Sequence, residues 1–158
     1  MPLRLDLLRH GEALPAQADG DAARPLSESG RRSVARIAAE YSRRNWRPDH
    51  LFASPLRRAQ ETAAIVARAV PGLAIETLEE LDPGGLPAEV VAALAAHPLG
   101  GHAVLVGHQP LLGGLAAYLT GDPHPELAPG ALATLEIAQV PARGSGRLLG
   151  ILDPDHLP

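Results

Sequence analysis

Apolar residues recur along this chain in two rhythms, and the switches between them mark out its elements. Leu3, Leu5, Leu7 and Leu8 make a short apolar run that predicts a strand over 3–8. A polar stretch follows to about Pro25 and reads as a mobile loop. Ser27 can cap a helix from about Glu28 to Arg43, in which Val34, Ile37, Ala38 and Tyr41 share one face. Gly30 sits awkwardly in its first turn, because glycine weakens a helix. Pro48-Asp49 leads into a strand over 50–53, and a helix runs from 55 or 56 to 69, proline being tolerated at its entrance. Residues 73–77 predict a third strand, ended by the acidic loop 79–85, and Pro87 begins a helix to about Ala96. The most apolar strand covers 103–106 and stops at Gly107-His108. A helix over 110–120 and two late strands, 133–140 and 147–152, complete the pattern, the strands paired around Gly144-Ser145-Gly146.

Short apolar strands alternating with helices predict an α/β fold: a three-layer sandwich with a mainly parallel central sheet and helices on both faces. A length of 158 residues suits a single domain over 1–158. In such sheets ligands bind outside the carboxyl ends of the strands. Arg9-His10, Ser54 and Gly107-His108 all fall at predicted strand ends, so three clusters distant in sequence should meet at one edge.

Composition narrows what can happen there. Hydrophobic residues make up 46% of the chain, yet no apolar run approaches the roughly 20 residues needed to span a bilayer. No basic segment followed by an apolar stretch opens the sequence, so the expected location is cytoplasmic, away from any membrane. Cysteine is absent, which removes disulfides, thiolate nucleophiles and Cys-based zinc sites. Net charge is −4 and aromatics are 3%, a poor combination for a general nucleic-acid binder. The basic residues are all arginine, which still permits a local anion site.

The candidate chemistry is that of phosphoryl groups. At Arg9-His10-Gly11, an imidazole can attack phosphorus while a guanidinium holds phosphate oxygens through parallel donors. The tripeptide alone would arise by chance in roughly 6% of chains of this composition, so its placement at a strand end carries the weight. The second cluster, Ser54-Pro55-Leu56-Arg57-Arg58-Ala59-Gln60-Glu61-Thr62, lies at a strand-to-helix junction, where free amides and the helix dipole favour anions. Read alone, Ser54 could equally cap the helix, with both arginines solvated. In the third, Gly107-His108-Gln109-Pro110, the histidine could donate to a phosphate oxygen or be purely structural.

Taken together and in this order, Arg9-His10-Gly11-Glu12, the Ser54–Thr62 stretch and Gly107-His108 resemble the histidine phosphatase superfamily, with its phosphoglycerate mutase-like fold. Short length and Arg24-Pro25-Leu26-Ser27 make the chain most similar to the SixA branch, the phosphohistidine phosphatases. The resemblance implies His10 as the nucleophile that becomes phosphorylated, Arg9 and Arg58 as the clamp on the phosphoryl group, and His108 as the residue completing the pocket. Arg58, not Arg57, matches the family's arginine before alanine. Glu80 occupies the place where ester-cleaving relatives carry a general acid, with Asp82 a second choice and no acid a third. Arg24 is a further candidate for substrate contact, and Glu12 and Gln109 for supporting positions. His50, His97, His102, His124 and His156 match no family position and read as surface histidines, with no compact metal-site spacing.

The implied activity is a metal-independent and cofactor-independent phosphatase acting through phospho-His10, with phosphohistidine on a protein as the favoured substrate and a role in signal transduction. Brevity favours it, since little chain is left to lid a small-molecule pocket. The alternatives are a phosphatase of small phosphorylated metabolites and, from another class, a non-catalytic phosphate-binding module.

Overall fold

Among residues 2–157, which the computed structural model describes, six strands form one mixed sheet. They are β1 (Leu3–Arg9), β2 (His50–Ala53), β3 (Ile75–Thr77), β4 (His102–Gly107), β5 (Leu132–Ile137) and β6 (Gly146–Leu152), in the order β3-β2-β4-β1-β5-β6. The first four pair in parallel, while β5 and β6 close the other side antiparallel. Helices α1 (Glu28–Arg43) and α2 (Arg57–Ala69) cover one face; α3 (Pro87–Leu94) and α4 (Leu111–Thr120) cover the other. No helix among the described residues is long and apolar enough to cross a membrane.

The central strands explain their own sequences. In β4, Ala103 and Leu105 enter the core under α3 and α4, while Val104 and Val106 enter the core under α1 and α2. A strand covered on both faces has no solvent side, hence its unbroken apolar run. β1 keeps Leu3, Leu5 and Leu7 on the α3/α4 face and Leu8 on the other. Asp6, on the same side as Leu8, is fully buried. Its carboxylate accepts from Tyr41 Oη at 2.6 Å, Thr134 Oγ1 at 2.9 Å and Arg4 Nε at 3.0 Å, and shares a 2.7 Å bond with His102 Nε2. His102 is therefore a buried core histidine, and its reading as a surface residue is corrected. A polar residue opening an apolar strand has no local signal that a partner waits beneath it.

α1 starts as its capping serine predicts, Ser27 Oγ accepting from Gly30 N at 2.9 Å, and its buried face carries Val34, Ile37, Ala38 and Tyr41. The awkward Gly30 is explained by close approach: a Cβ there would run into the carbonyl oxygen of Glu12. That oxygen accepts from Ser27 N at 2.9 Å, so the turn after β1 and the start of α1 share one tight junction. Gly30→Ala is expected to destabilise the fold by about 2 kcal/mol through overpacking, despite the ~1 kcal/mol that alanine ordinarily gains over glycine within a helix. A denaturant midpoint at or above wild type would refute the junction's rigidity.

Three boundaries differ from the sequence reading by two residues or more. β3 begins at Ile75 because Val70–Leu73 is taken up by a turn, Leu73 N donating to Val70 O, with Gly72 at φ 82°. α3 ends at Leu94, two residues early, where Ala96 and His97 form turn bonds ahead of Pro98. β5 ends at Ile137 instead of Val140, so the hairpin connection is wider than Gly144–Gly146, closed by Ala138 N to Ser145 O. The 12–25 segment is bound to itself and its neighbours: Leu14 N donates to Pro25 O, and residues 21–23 form a single 3-10 turn.

Candidate active site

Parallel pairing places the carboxyl ends of β1, β4 and β2 side by side. Arg9 is in register with Gly107, His10 N donates to Gly107 O, and Ser54 N donates to Val106 O. The structure thus brings together Arg9, His10, Ser54, Arg58 and His108, which stand far apart in sequence. Arg9, His10, Arg58 and His108 line one open cleft with Glu12, Ala13, Arg24, Pro83, Gln109 and Pro129.

His10 Nδ1 lies 2.7 Å from the carbonyl oxygen of Gly11. A carbonyl only accepts, so the proton sits on Nδ1 and the lone pair on Nε2. Burial, reinforced by the positive charges of Arg58, Arg9 and Arg24 against the opposing Gly11 bond, lowers the His10 pKa to about 4. The ring is therefore neutral at pH 7. His108 stands with its ring centroid 4.9 Å from that of His10, and burial, His10 and Arg58 lower its pKa to about 3. Its Nε2 shares a 2.7 Å bond with Ser54 Oγ, which also accepts from Leu56 N at 3.2 Å. Ser54 thereby links the entry of α2 to His108 in addition to satisfying a free amide.

The two arginines are held alike. Arg9 Nη1 donates to Leu127 O at 2.7 Å; Arg58 Nη1 donates to Asp21 O at 3.0 Å and Nη2 to Asp21 Oδ2 at 3.3 Å. Both side chains are gripped at their terminal nitrogens. Among the described residues, three buried side-chain nitrogens lack any hydrogen-bond partner: Arg9 Nε, Arg58 Nε and His108 Nδ1. Unpaired buried polar groups are costly and rare, so three belonging to residues of one cleft call for an external partner, and the two arginine nitrogens, which can only donate, call for an acceptor. A tetrahedral oxyanion meets that demand with several oxygens at once.

The motif around Arg58 also has a structural share. Thr62 Oγ1 donates to Arg58 O at 2.8 Å and accepts from Gly11 N at 3.1 Å, joining α2 to the turn after β1. Glu61 accepts from Leu26 N at 2.8 Å and pairs with Arg57, whose side chain is half exposed on the helix surface. Arg24 lines the cleft, its Nε donating to Leu14 O and its Nη1 to Asp21 Oδ1. Gln109 accepts from Gly113 N and so caps α4 while facing the cleft. Glu80 lies in the 3-10 turn Glu79–Leu81, and Asp82 caps its own turn through Gly84 N; from that loop it is Pro83 that lines the cleft. Glu12 lines it too, accepting from Ser27 Oγ at 2.9 Å. Asp21 escaped the sequence reading, although Asp21 and Arg24 have the three-residue spacing that lets a turn pair them. Among the described residues no group of three His, Asp or Glu side chains stands together as a metal site.

A sequence profile of the histidine phosphatase superfamily, branch 1, matches residues 5–85. Among solved structures, the chain is similar to the protein histidine phosphatase SixA complexed with tungstate: 27% identical, TM-score 0.86, covering 97% of this chain and 98% of that one. A protein from Agrobacterium tumefaciens assigned as the phosphohistidine phosphatase SixA is 26% identical with a TM-score of 0.80, covering 98% and 99%. An Escherichia coli structure assigned as an alpha-ribazole-5'-P phosphatase shares the fold at 20% identity, with a TM-score of 0.77 and coverage of 99% and 98%. No curated protein matches the chain in sequence. With the motifs, the sheet edge and the profile in agreement, the chain belongs to the histidine phosphatase superfamily, branch 1, and is a phosphatase.

Proposed function

We propose that this phosphatase hydrolyses phosphohistidine on a protein through a phospho-His10 intermediate. The observation that carries the reading is the trio of unpartnered buried nitrogens on Arg9, Arg58 and His108 beside a histidine whose Nε2 lone pair is free. His10 Nε2 attacks phosphorus as the bond from phosphorus to the substrate imidazole nitrogen breaks, and that nitrogen takes a proton from water. A second water then attacks phosphorus, the bond to Nε2 breaks, and inorganic phosphate leaves. Charge on the three equatorial oxygens is met by the Arg9 and Arg58 guanidiniums and by His108 Nδ1–H, with Ser54 Oγ donating to Nε2.

Two observations support phosphohistidine over esters. An imidazole leaves far more readily than an alkoxide, so a strong general acid is dispensable, and neither Glu80 nor Asp82 lines the cleft. Similarity to SixA structures runs over nearly the whole chain. In the ester reading, Glu12, the carboxyl group that does line the cleft, is a candidate acid beside Glu80. The deciding measurement is kcat/KM on a phosphohistidine-bearing protein against nucleotides, sugar phosphates and phosphoglycerates. The protein substrate is expected to be turned over most efficiently; an ester that matches it would transfer the assignment to small metabolites.

A further inference from the structure

We propose that Asp21 is a positioning residue for the phosphoryl pocket, gripping Arg58 by its terminal nitrogens so that its Nε edge faces the bound phosphoryl group. The inference rests on the phosphoryl-pocket reading above but not on which phosphorylated substrate is used.

A guanidinium offers donors along two usable edges, one between the terminal nitrogens and one between Nε and a terminal nitrogen. Asp21 occupies the first with two acceptors, its main-chain oxygen at 3.0 Å from Nη1 and its carboxylate at 3.3 Å from Nη2. The second edge retains Nε, buried and unpartnered. Arg9 shows the same division, Nη1 tied to Leu127 O and Nε unpartnered, so two arginines from separate elements present the same edge. Only at Arg58 does a charged side chain help to hold it. That side chain also pairs with Arg24 through its other oxygen at 3.2 Å. Asp21 therefore stands between two arginines of the cleft, on a turn entered through Gly20 at φ 91°, a backbone conformation that glycine adopts readily.

The exposures define what the contact does. Arg58's side chain is 7% exposed while Asp21's is 61%, so the carboxylate reaches down from the surface onto a buried cation. Such a contact adds little to global stability, because one partner is solvated. Its value is orientational: with the side chain of Asp21 removed, one main-chain acceptor remains and the guanidinium can pivot about it. A displaced donor loses more in the transition state, where oxygen charge is redistributed, than in substrate binding. The effect should fall chiefly on kcat and reach KM less.

The test measures binding of inorganic phosphate by calorimetry, and turnover of any substrate the wild type accepts, for Asp21→Ala, Asp21→Asn, Arg58→Ala and the double variant Asp21→Ala/Arg58→Ala. Loss of one hydrogen bond to a charged group predicts about a ten-fold drop in kcat for Asp21→Ala, with a smaller drop in phosphate affinity. Asp21→Asn keeps an acceptor oxygen and should recover most of both. In the Arg58→Ala background, removing Asp21 should change nothing further, because Asp21 acts through that arginine. Tighter phosphate binding by Asp21→Ala would mean that the carboxylate competes with the anion, and additive losses in the double variant would mean that it acts elsewhere; either overturns the proposal. An asparagine variant as impaired as alanine would overturn it as well, pointing to proton transfer by Asp21 itself. Failure of the wild type to bind phosphate would instead sink the phosphoryl-pocket reading beneath it.

Discussion

His10→Ala is expected to lower kcat by at least about 10⁴-fold, since removing a covalent nucleophile from a unit that works together has consequences of that order. The Gly11 carbonyl commits Nδ1 to its proton and leaves the Nε2 lone pair free, while the neighbouring ring, His108, has its Nε2 engaged by Ser54. The variant should also lose acid-labile phosphorylation of the enzyme after brief exposure to substrate. Retained labelling would place the nucleophile elsewhere. In the wild type, kcat/KM should fall on the acid side only as pH approaches about 4, where His10 takes up its second proton. An acid limb near 6.5 would mean that burial and the three arginines do not depress the ring as the structure implies.

Asp6→Ala carries the largest expected loss of stability, about 3–5 kcal/mol, the usual consequence of breaking a buried charge network by removing one partner. Alanine would leave the Tyr41 hydroxyl, Thr134 Oγ1, Arg4 Nε and the His102 ring without their shared acceptor. For a domain of this size, such a loss is a large part of the total. The pH dependence follows in sign. Burial pushes the Asp6 pKa up, but the bonds and charges of His102, Arg4 and Tyr41 outweigh it and hold the folded-state pKa below 3.8. The carboxylate therefore contributes stability above its unfolded value, and that contribution disappears as pH falls through the folded one. The gap between wild type and variant in urea midpoint should be full at pH 7 and shrink in acid. A loss below about 1 kcal/mol at pH 7 would show that the network is energetically idle. Asp6 lies in the middle of β1, four residues before His10, and does not line the cleft, so kcat per folded molecule should be unchanged.

How far the chain could be read follows from how local each cause is. Ser27 capping α1, and the face of Val34, Ile37, Ala38 and Tyr41, depend on residues within two turns of one another. Strand ends at Arg9, Ala53 and Gly107 follow from apolar runs giving way to polar residues and glycine. Parallel strands then align their carboxyl ends, which is why Arg9-His10, Ser54 and His108 could be expected at one edge before any coordinates. Gly30 carried a signal without an explanation: a glycine against helix propensity marks close approach but not what approaches, and the Glu12 carbonyl stands 18 positions earlier in sequence.

What stayed hidden is what depends on long-range contact. Nothing local in β1 marks Asp6 as buried, yet α1 covers that face and the neighbouring β5 brings Thr134 alongside, turning the carboxylate into a buried hub for Tyr41, His102 and Thr134. Glu80 sits in the loop where the family resemblance places an acid, while the cleft is lined by Pro83 from that loop and by Glu12 from another. Asp21 meets Arg58 across 37 residues, a pairing that no spacing rule reaches. The sequence by itself determined the α/β pattern and the meeting of Arg9-His10, Ser54 and Gly107-His108 at one sheet edge, because periodicity, caps and strand ends are local. Only the tertiary structure decided which edge of each guanidinium is left free, which histidine is buried and which carboxylates reach the cleft, because those depend on groups brought together by packing from distant parts of the chain.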